Sequence, residues 1–334
     1  MKGRHKAGIK QIVNNPWFIL VCNIISVVGF FTSFIVQDEI CKIIICALCA
    51  VLVLVVTLYL FFRIASIKKA KRNLSRSTLA LNKKIYKYIH DFYHNLRNYL
   101  NAIQQDADFS SRHFSDKAAL LCNHMEKVFT TSLDAKDPVS VCIKRIKTSS
   151  ILNDRVSDWE LSTFARSTST QRERYEYDRN DRDPDKIIDN TDFEMIVSND
   201  KLFRNFDCFY TGDLETYAVE YEKKYGVPFK NSHFQPPYKS TIIVPIRIDT
   251  DYMSSALKGK IGKARYYHIV GFLCIDSEEK FLEEDEIRYE RFKNCVELAF
   301  SMGDALYTFL EDYLVKDIIG TIPSQEFTPE PPLA

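Results

Sequence analysis

The chain has 334 residues, of which 45 are Lys or Arg and 44 are Asp or Glu, and 46% of its residues are hydrophobic. This length allows about two modules of ordinary domain size, and the net charge of +1 excludes a general electrostatic attraction to nucleic acid. Ten glycines and eleven prolines are too few for a collagen-like or low-complexity chain. Residues 17–62 are almost entirely apolar, whereas the rest of the chain is rich in charge.

Two uncharged runs of twenty residues, Trp17–Val36 and Ile43–Phe62, are separated by the six residues QDEICK. As a helix, each run would be about 30 Å long, the thickness of one hydrocarbon core. The first run is too long for the apolar part of a signal peptide, and no A-x-A cleavage site follows it. Residues 17–62 are therefore predicted to form a two-helix transmembrane hairpin in contact with the lipid bilayer.

Basic residues flank this predicted hairpin on both sides: Lys2, Arg4, Lys6 and Lys10 precede it, and Arg63, Lys68, Lys69, Lys71 and Arg72 follow it. The connecting loop contains only Lys42, beside two acids. The positive-inside rule then places both termini, including the basic segment 1–16, in the cytoplasm. This pattern predicts a multi-pass protein of the inner (cytoplasmic) membrane whose soluble part lies in the cytoplasm.

The segment after the hairpin, residues 63–134, has the pattern of two helices. No Pro or Gly interrupts Ile67–Gln105, where apolar or tolerant residues recur in steps of three and four, as in a coiled coil. A second helical pattern follows the short breaker DFSSRHFSD, so the two helices should pair antiparallel. Because one hairpin cannot bury both apolar stripes, we predict a homodimer through residues 67–132.

The sequence His94-Asn95-Leu96-Arg97-Asn98 resembles the H-box of sensor histidine kinases. The resemblance implies that His94 accepts phosphate, that Asn95 helps to activate it, and that Asn98 belongs to the same motif. No ATP-binding motif follows residue 135, so we expect a phosphotransfer or dimerisation bundle rather than an autokinase. The alternative is that His94 is an ordinary solvated position. His90 and His94 have the i, i+4 spacing of metal ligands, but a third ligand is missing and no metal site is predicted.

Residues 135–320 have the patterns of a mixed α+β domain. Strand-like runs occur at 139–146, 161–166, 240–248 and 267–276, and a long amphipathic helix pattern follows from about Glu283 to Val315. This order predicts an antiparallel sheet flanked by helices. Within the last strand, Gly271 predicts a bulge or a close backbone approach, and Asp276 is expected to cap the following turn. The tail 321–334 is expected to be disordered.

This order of elements resembles a GAF domain. The likeness is carried by Asn190–Phe193, the aromatic tract Phe206–Tyr225, Tyr238–Arg247 with its V-P-I sequence, and Ile269–Ser277 with its G-x-L-x-x-D pattern. The resemblance implies a sensor domain that holds a small ligand between the sheet and the opposite helices. It places five aromatic residues on the pocket wall: Phe206, Tyr210, Tyr217, Tyr221 and Tyr225. The same residues could instead fill a packed core, and no cofactor is identified.

The sequence contains no P-loop, G-x-S-x-G, H-E-x-x-H or G-x-G-x-x-G motif, so no catalytic residue is assigned. We therefore predict a non-catalytic, membrane-anchored cytoplasmic sensor or signalling protein whose GAF-like domain binds a small molecule or a protein. Two alternatives stay open. One is a membrane-perturbing effector gated by its cytosolic domain, as in some bacterial anti-phage systems, and the other is a phosphotransfer protein that uses His94.

Overall fold

The structure is a computed structural model that describes Gly29, Ser255 and the ranges 38–105, 111–151, 156–169, 185–197, 207–230, 238–253 and 267–319. Its contacts divide the chain into two compact units, Met1–Ala80 and Leu81–Ala334. In chain order the helices are α1 (Glu39–Gln105), α2 (Ser111–Leu133), α3 (Thr148–Ile151), α4 (Thr191–Val197), α5 (Leu214–Tyr225) and α6 (Glu286–Ile319). The strands are β1 (Ser140–Ile146), β2 (Glu160–Arg166), β3 (Asp185–Lys186), β4 (Phe209–Thr211), β5 (Ser240–Asp249) and β6 (Tyr267–Ser277).

The described part of the first unit is the beginning of helix α1. Asp38 precedes this helix, and its Oδ1 accepts a hydrogen bond from the backbone N–H of Ile40 at 3.0 Å, as side chains before a helix commonly do. Large apolar side chains such as Ile43, Leu48 and Phe62 are exposed. The first apolar run, Trp17–Val36, lies outside the described residues except for Gly29.

The structure contradicts the prediction of a transmembrane hairpin. Among the helices built from described residues, none has both the length and the hydropathy needed to cross a bilayer. The second apolar run is not a separate segment, because it belongs to a helix of 67 residues that continues past Arg63 into charged sequence. The predicted multi-pass location in the inner membrane depended on that hairpin and is corrected with it.

The second unit is built on an antiparallel sheet of six strands in the order β3-β2-β1-β6-β5-β4. Each neighbouring pair runs antiparallel, as the sequence predicts for the domain. Helices α2 and α6 pack on this sheet and on each other. The largest fully buried side chains include Phe114 and Phe129 of α2 and Phe292 and Phe309 of α6, so these two helices supply much of the core.

The two faces of the sheet differ in chemistry. Alternate residues of a strand share a face, and Arg145 marks the α6 face because its Nη1 donates to the hydroxyl of Tyr313 at 2.6 Å. The buried residues on that face include Val141, Ile143, Ile242, Val244, Leu273 and Ile275. Lys144 marks the opposite face, since its Nζ lies 5.5 Å from the ring centre of Phe193 in α4. That second face carries polar, thiol and charged groups: Ser140, Cys142, Lys144, Thr241, Cys274 and Asp276.

Gly271 confirms the prediction of a close backbone approach. A Cβ atom at this position would lie 2.4 Å from the carbonyl oxygen of Lys144 in β1. The pairing of β5 with β6 also shifts register between Ile246 and Arg247, directly beside Gly271. Asp276 does not have the predicted capping role, because α6 begins only at Glu286. Its Oδ1 accepts a hydrogen bond from the Thr241 hydroxyl at 2.7 Å, across β5 and β6.

Part of the apolar stripe that motivated the homodimer is buried within one chain. Phe92, Leu96 and Ile103 of α1 are at most 5% exposed and belong to the same core as α2. These residues are therefore not available to a second copy. Leu81 and Ile85 are only half-buried. A dimer through residues 67–132 would therefore need the surface that contains these two side chains.

The homodimer stays a prediction with a direct test. Changing Leu81 and Ile85 together to Asp should give monomers, because each buried aliphatic side chain contributes about 1.5–3 kcal/mol and the charged replacements repel each other. Light scattering after size-exclusion chromatography measures the mass, with the exposed Lys83→Asp as the control. A dimer mass that is the same in the double variant and in the wild type would exclude this surface.

Candidate functional site

Helix α5 carries an aromatic face that packs on β4. Asp213 caps the helix, since its Oδ1 accepts from the backbone N–H of Thr216 at 3.3 Å, and Gly226, with φ of 71°, ends it. Tyr217, Tyr221 and Tyr225 are spaced four residues apart and so lie on one face. The hydrophobic face of a short capped helix thereby brings three tyrosines to one place.

The tyrosines form a continuous cluster with residues from the neighbouring segments. The ring centre of Tyr217 lies 5.1 Å from that of Phe209 in β4, and those of Tyr221 and Tyr225 are 4.7 Å apart. Phe229 packs edge-on against Tyr221 at 5.4 Å. The Tyr217 hydroxyl reaches the sulfur of Met195 in α4 at 3.9 Å, and burial raises the pKa of Tyr217 to about 12.

The five aromatic residues predicted for the pocket wall are placed differently from one another. Tyr217, Tyr221 and Tyr225 come together as described. Tyr210 is 41% exposed, and its ring lies 6.2 Å from that of Phe292 in α6, on the side of β4 opposite to Phe209. Phe206 lies outside the described residues.

Tyr221 is the member of this cluster whose truncation should cost most stability. It is 5% exposed, so Tyr221→Ala should lower the free energy of unfolding by about 3–5 kcal/mol, as for other large aromatic truncations. Tyr221→Phe keeps the ring and should cost less than about 1.5 kcal/mol. Denaturant titration of both variants checks this, with Tyr252→Ala as the control because Tyr252 is 78% exposed. Equal losses for the Ala and Phe variants would contradict the packing described.

Helix α4 covers a second, ionisable part of the same sheet face. Its start is fixed by Thr191, whose backbone N–H donates to the Lys230 carbonyl at 2.8 Å and whose hydroxyl accepts from the Lys230 N–H at 2.9 Å. The next residue, Asp192, is 1% exposed, and Lys144 of β1 is 6% exposed. Oδ1 of Asp192 accepts from the backbone N–H of Phe193 at 2.8 Å. A carboxylate and an ammonium group are thus buried on one face of the sheet.

Burial is the main influence on the Asp192 carboxyl. It raises the pKa of Asp192 from 3.8 to about 7, and the charge of Asp276 raises it further, while the Phe193 N–H and Lys144 act in the opposite direction. Asp192 therefore gains or loses a proton near neutral pH, which ordinary aspartates do not. Perturbed groups of this kind are enriched at functional sites.

Two cysteines lie between Lys144 and Asp276 on this face of the sheet. Cys142 of β1 is paired directly with Cys274 of β6, and both are free thiols and buried. Burial raises the pKa of Cys274 well above its ordinary value, so it is protonated at neutral pH and is a poor nucleophile. Over the described residues, no group of three or more His, Cys, Asp or Glu side chains is arranged to hold a metal ion.

The predicted phosphoacceptor region lies on an exposed face of α1. Nη2 of Arg97 is 3.1 Å from Nδ1 of His94, and the guanidinium is the donor because arginine has no acceptor atom. Nδ2 of Asn98 is 3.2 Å from Nε2 of the same ring. Nδ2 of Asn95 contacts Nε2 of His124 at 3.2 Å instead. Phosphorylation of His94 stays a prediction.

No protein-family model and no curated protein matches this chain. A solved structure that is similar is a type II free methionine-R-sulfoxide reductase from Thermoplasma acidophilum, with 15% sequence identity and a TM-score of 0.31. The match covers 61% of this chain and 96% of that one. It is compatible with a GAF-like fold without establishing it.

The prediction that the protein is not an enzyme is contradicted by this match, because the similar structure belongs to a reductase. An identity of 15% and a TM-score of 0.31 carry no argument for any particular reaction. The absence of catalytic sequence motifs therefore does not define the class of this protein.

Sequence reasoning did not identify Lys144 and Asp192 as site residues. The pattern of the strand VSVCIKRI gave no signal for Lys144, because alternation groups it with Ser140 and Cys142 and not with Val139, Val141 and Ile143. Asp192 lies in the Asn-Thr-Asp-Phe segment that carries part of the GAF resemblance. The nearness of the two residues depends on the packing of α4 over β1, which no local sequence pattern contains.

Proposed function

We propose that the second unit binds a small polar organic molecule on the sheet face covered by α4 and α5. The observation that supports this proposal best is the burial of Lys144 and Asp192 on that face, whereas Arg145 on the α6 face is only half-buried and donates to the Tyr313 hydroxyl. Burying charged groups costs free energy, and a core could be built without them. Buried charged groups of this kind are enriched at functional sites.

The two parts of the face have complementary chemistry. The aromatic cluster around Tyr217, Tyr221 and Phe229 offers rings for an apolar part of a ligand, and tyrosines add polar hydroxyl tips. The ionisable part around Lys144 and Asp192 offers groups that orient a polar end. Small-molecule sites commonly combine an apolar lining with a few polar groups of this kind. Ligand binding is also the function that a GAF-like fold would imply.

A thermal-shift screen of the full chain against small organic molecules tests this proposal. A ligand present at 100 times its Kd should add about 2.7 kcal/mol to the free energy of unfolding. This stabilisation should disappear in Lys144→Met and persist in Lys223→Met, a matched change at an exposed position of α5. Molecules that stabilise both variants as strongly as the wild type would place binding elsewhere and contradict the proposal.

A further inference from the structure

Charge is distributed unevenly along the chain, although its net value is close to zero. Residues 1–105, which end with α1, contain 15 of the 45 Lys and Arg residues but only three of the 44 Asp and Glu residues. This segment has a net charge of +12, and the rest of the chain has a net charge of −11. An asymmetry of this size indicates that the basic part interacts with a negatively charged partner.

The part of α1 that belongs to the second unit carries a basic row on one face. Five exposed residues follow one another in steps of four, three, four and three, which keeps them on one side of the helix: Lys83, Lys87, His90, His94 and Arg97. At 1.5 Å per residue the row is about 21 Å long. Asp91 is the one acid between its ends and is half-buried. Among the ion pairs of the described residues, none includes Asp91 or a Lys or Arg of the row.

The composition of the basic row is unfavourable for a helix in water. Like charges four residues apart, such as those of Lys83 and Lys87, destabilise a helix, whereas opposite charges at this spacing stabilise it. Helix α6 shows the favourable arrangement, since Nζ of Lys293 lies 2.9 Å from Oε1 of Glu290. The stability of α1 therefore does not explain the row, and a negatively charged partner does.

Two exposed tyrosines border the basic row. Tyr86 and Tyr93 are 71% and 38% exposed, and because they are seven residues apart they lie two turns from each other on the same edge of the row. The Tyr93 hydroxyl donates to the carbonyl oxygen of Ser301 in α6 at 3.3 Å, which holds its ring at the surface. Exposed rings beside cations are the features with which proteins bind unpaired bases and the phosphates that connect them.

A charged lipid surface is a less suitable partner for the basic row. A helix that lies on a membrane inserts its apolar side among the lipids. Phe92 and Leu96 each lie two residues from a histidine of the row, and so about 200° around the helix from it. They are 0% and 5% exposed and belong to the core of the second unit, so this side of the helix is not available to lipid.

We propose that the basic row binds single-stranded nucleic acid, with phosphates along the row and bases stacked on Tyr86 and Tyr93. Binding is independent of base sequence, because Lys and Arg contact phosphates and every base has a face that can stack. This function goes beyond the proposed binding of a small molecule, since that site lies on the sheet face covered by α4 and α5 and the row lies on α1.

Fluorescence anisotropy of a labelled oligothymidylate, titrated with the full chain at several salt concentrations, tests the phosphate contacts. Two triple variants at exposed positions are compared: Lys83→Ala, Lys87→Ala and Arg97→Ala together, and Lys136→Ala, Lys223→Ala and Lys224→Ala together. The first should reduce the slope of log Kd against log salt concentration by about two, as expected for three lost contacts with a single strand. The second changes the net charge equally and should keep the wild-type slope. Equal slopes in the two variants would overturn the proposal.

The stacking contacts are tested with the same oligothymidylate. Tyr86→Ala should weaken its binding about tenfold through the loss of a stacked base, whereas Tyr252→Ala, at a tyrosine that is 78% exposed, should not. A DNA duplex of the same length should bind more weakly than the single strand, because its bases are already stacked on each other. Tighter binding of the duplex, unchanged affinity in Tyr86→Ala, or binding to anionic lipid vesicles without binding to the oligothymidylate would each overturn the proposal.

Discussion

Replacing Gly271 with Ala is expected to be among the most damaging single changes in the second unit, lowering the free energy of unfolding by about 3 kcal/mol or more. The added Cβ would lie 2.4 Å from the Lys144 carbonyl oxygen and 3.2 Å from the Arg145 Cα. Both atoms belong to the backbone of β1, so neither can rotate away as a side chain can. The strand pair β1–β6 would have to separate, and it holds the centre of the sheet.

Gly303→Ala is a matched control for this variant. A Cβ at Gly303, within α6, would lie 3.3 Å from the Pro245 carbonyl oxygen and 3.4 Å from a methyl group of Val244, so small shifts relieve the contact. Alanine also favours a helix over glycine by up to about 1 kcal/mol. Urea titration should therefore show a small change for Gly303→Ala and a large loss for Gly271→Ala. Similar midpoints for the two variants would contradict the close approach of β1 and β6.

Asp192→Asn is expected to stabilise the protein in a manner that depends on pH. Burial raises the pKa of Asp192 from 3.8 to about 7 in the folded chain, so the fold favours the protonated acid. The contribution of Asp192 to the stability of the wild type should therefore fall by about 4 kcal/mol as pH rises from about 4 to about 7, and stay level above that. Asparagine does not titrate and should not show this loss.

The difference between variant and wild type is the quantity to measure. Urea titrations at pH 5 and pH 8 should show that Asp192→Asn gains stability relative to the wild type at the higher pH, by a few kcal/mol. Asp189→Asn, at an exposed position three residues earlier, should show no comparable gain. A difference between Asp192→Asn and the wild type that is the same at both pH values would mean that Asp192 has an ordinary pKa.

Local sequence patterns predicted the longer elements well. Four strand-like runs correspond to β1, β2, β5 and β6, and the helical patterns correspond to α2 and α6. Strands β3 and β4 have two and three residues, which is too short for an alternating pattern to be recognised. The hydrophobic run at 43–62 was interpreted by its composition alone. That interpretation failed, because the run is part of a helix of 67 residues and, among the described residues, no helix has the length and hydropathy to cross a bilayer.

The sequence could predict only the part of the candidate site that lies on a single helix. The i, i+4 spacing of Tyr217, Tyr221 and Tyr225 is a local property of α5, and these residues do come together. Tyr210 was grouped with them by the resemblance to a GAF domain, but alternation along β4 directs it away from Phe209. The approach of Asp192 to Lys144 requires α4 to pack over a strand about fifty residues earlier in the chain. Such long-range pairings are not contained in local patterns.

The most direct test of ligand binding on this sheet face is hydrogen–deuterium exchange of the full chain with and without the molecule that gives the largest thermal shift. Exchange should become slower in α4 (Thr191–Val197) and α5 (Leu214–Tyr225), with little local change in α2 (Ser111–Leu133). Ligand binding on the face covered by α4 and α5 would protect those helices, which lie over the ionisable and aromatic groups. Protection confined to α2 and α6, with none in α4 and α5, would contradict it.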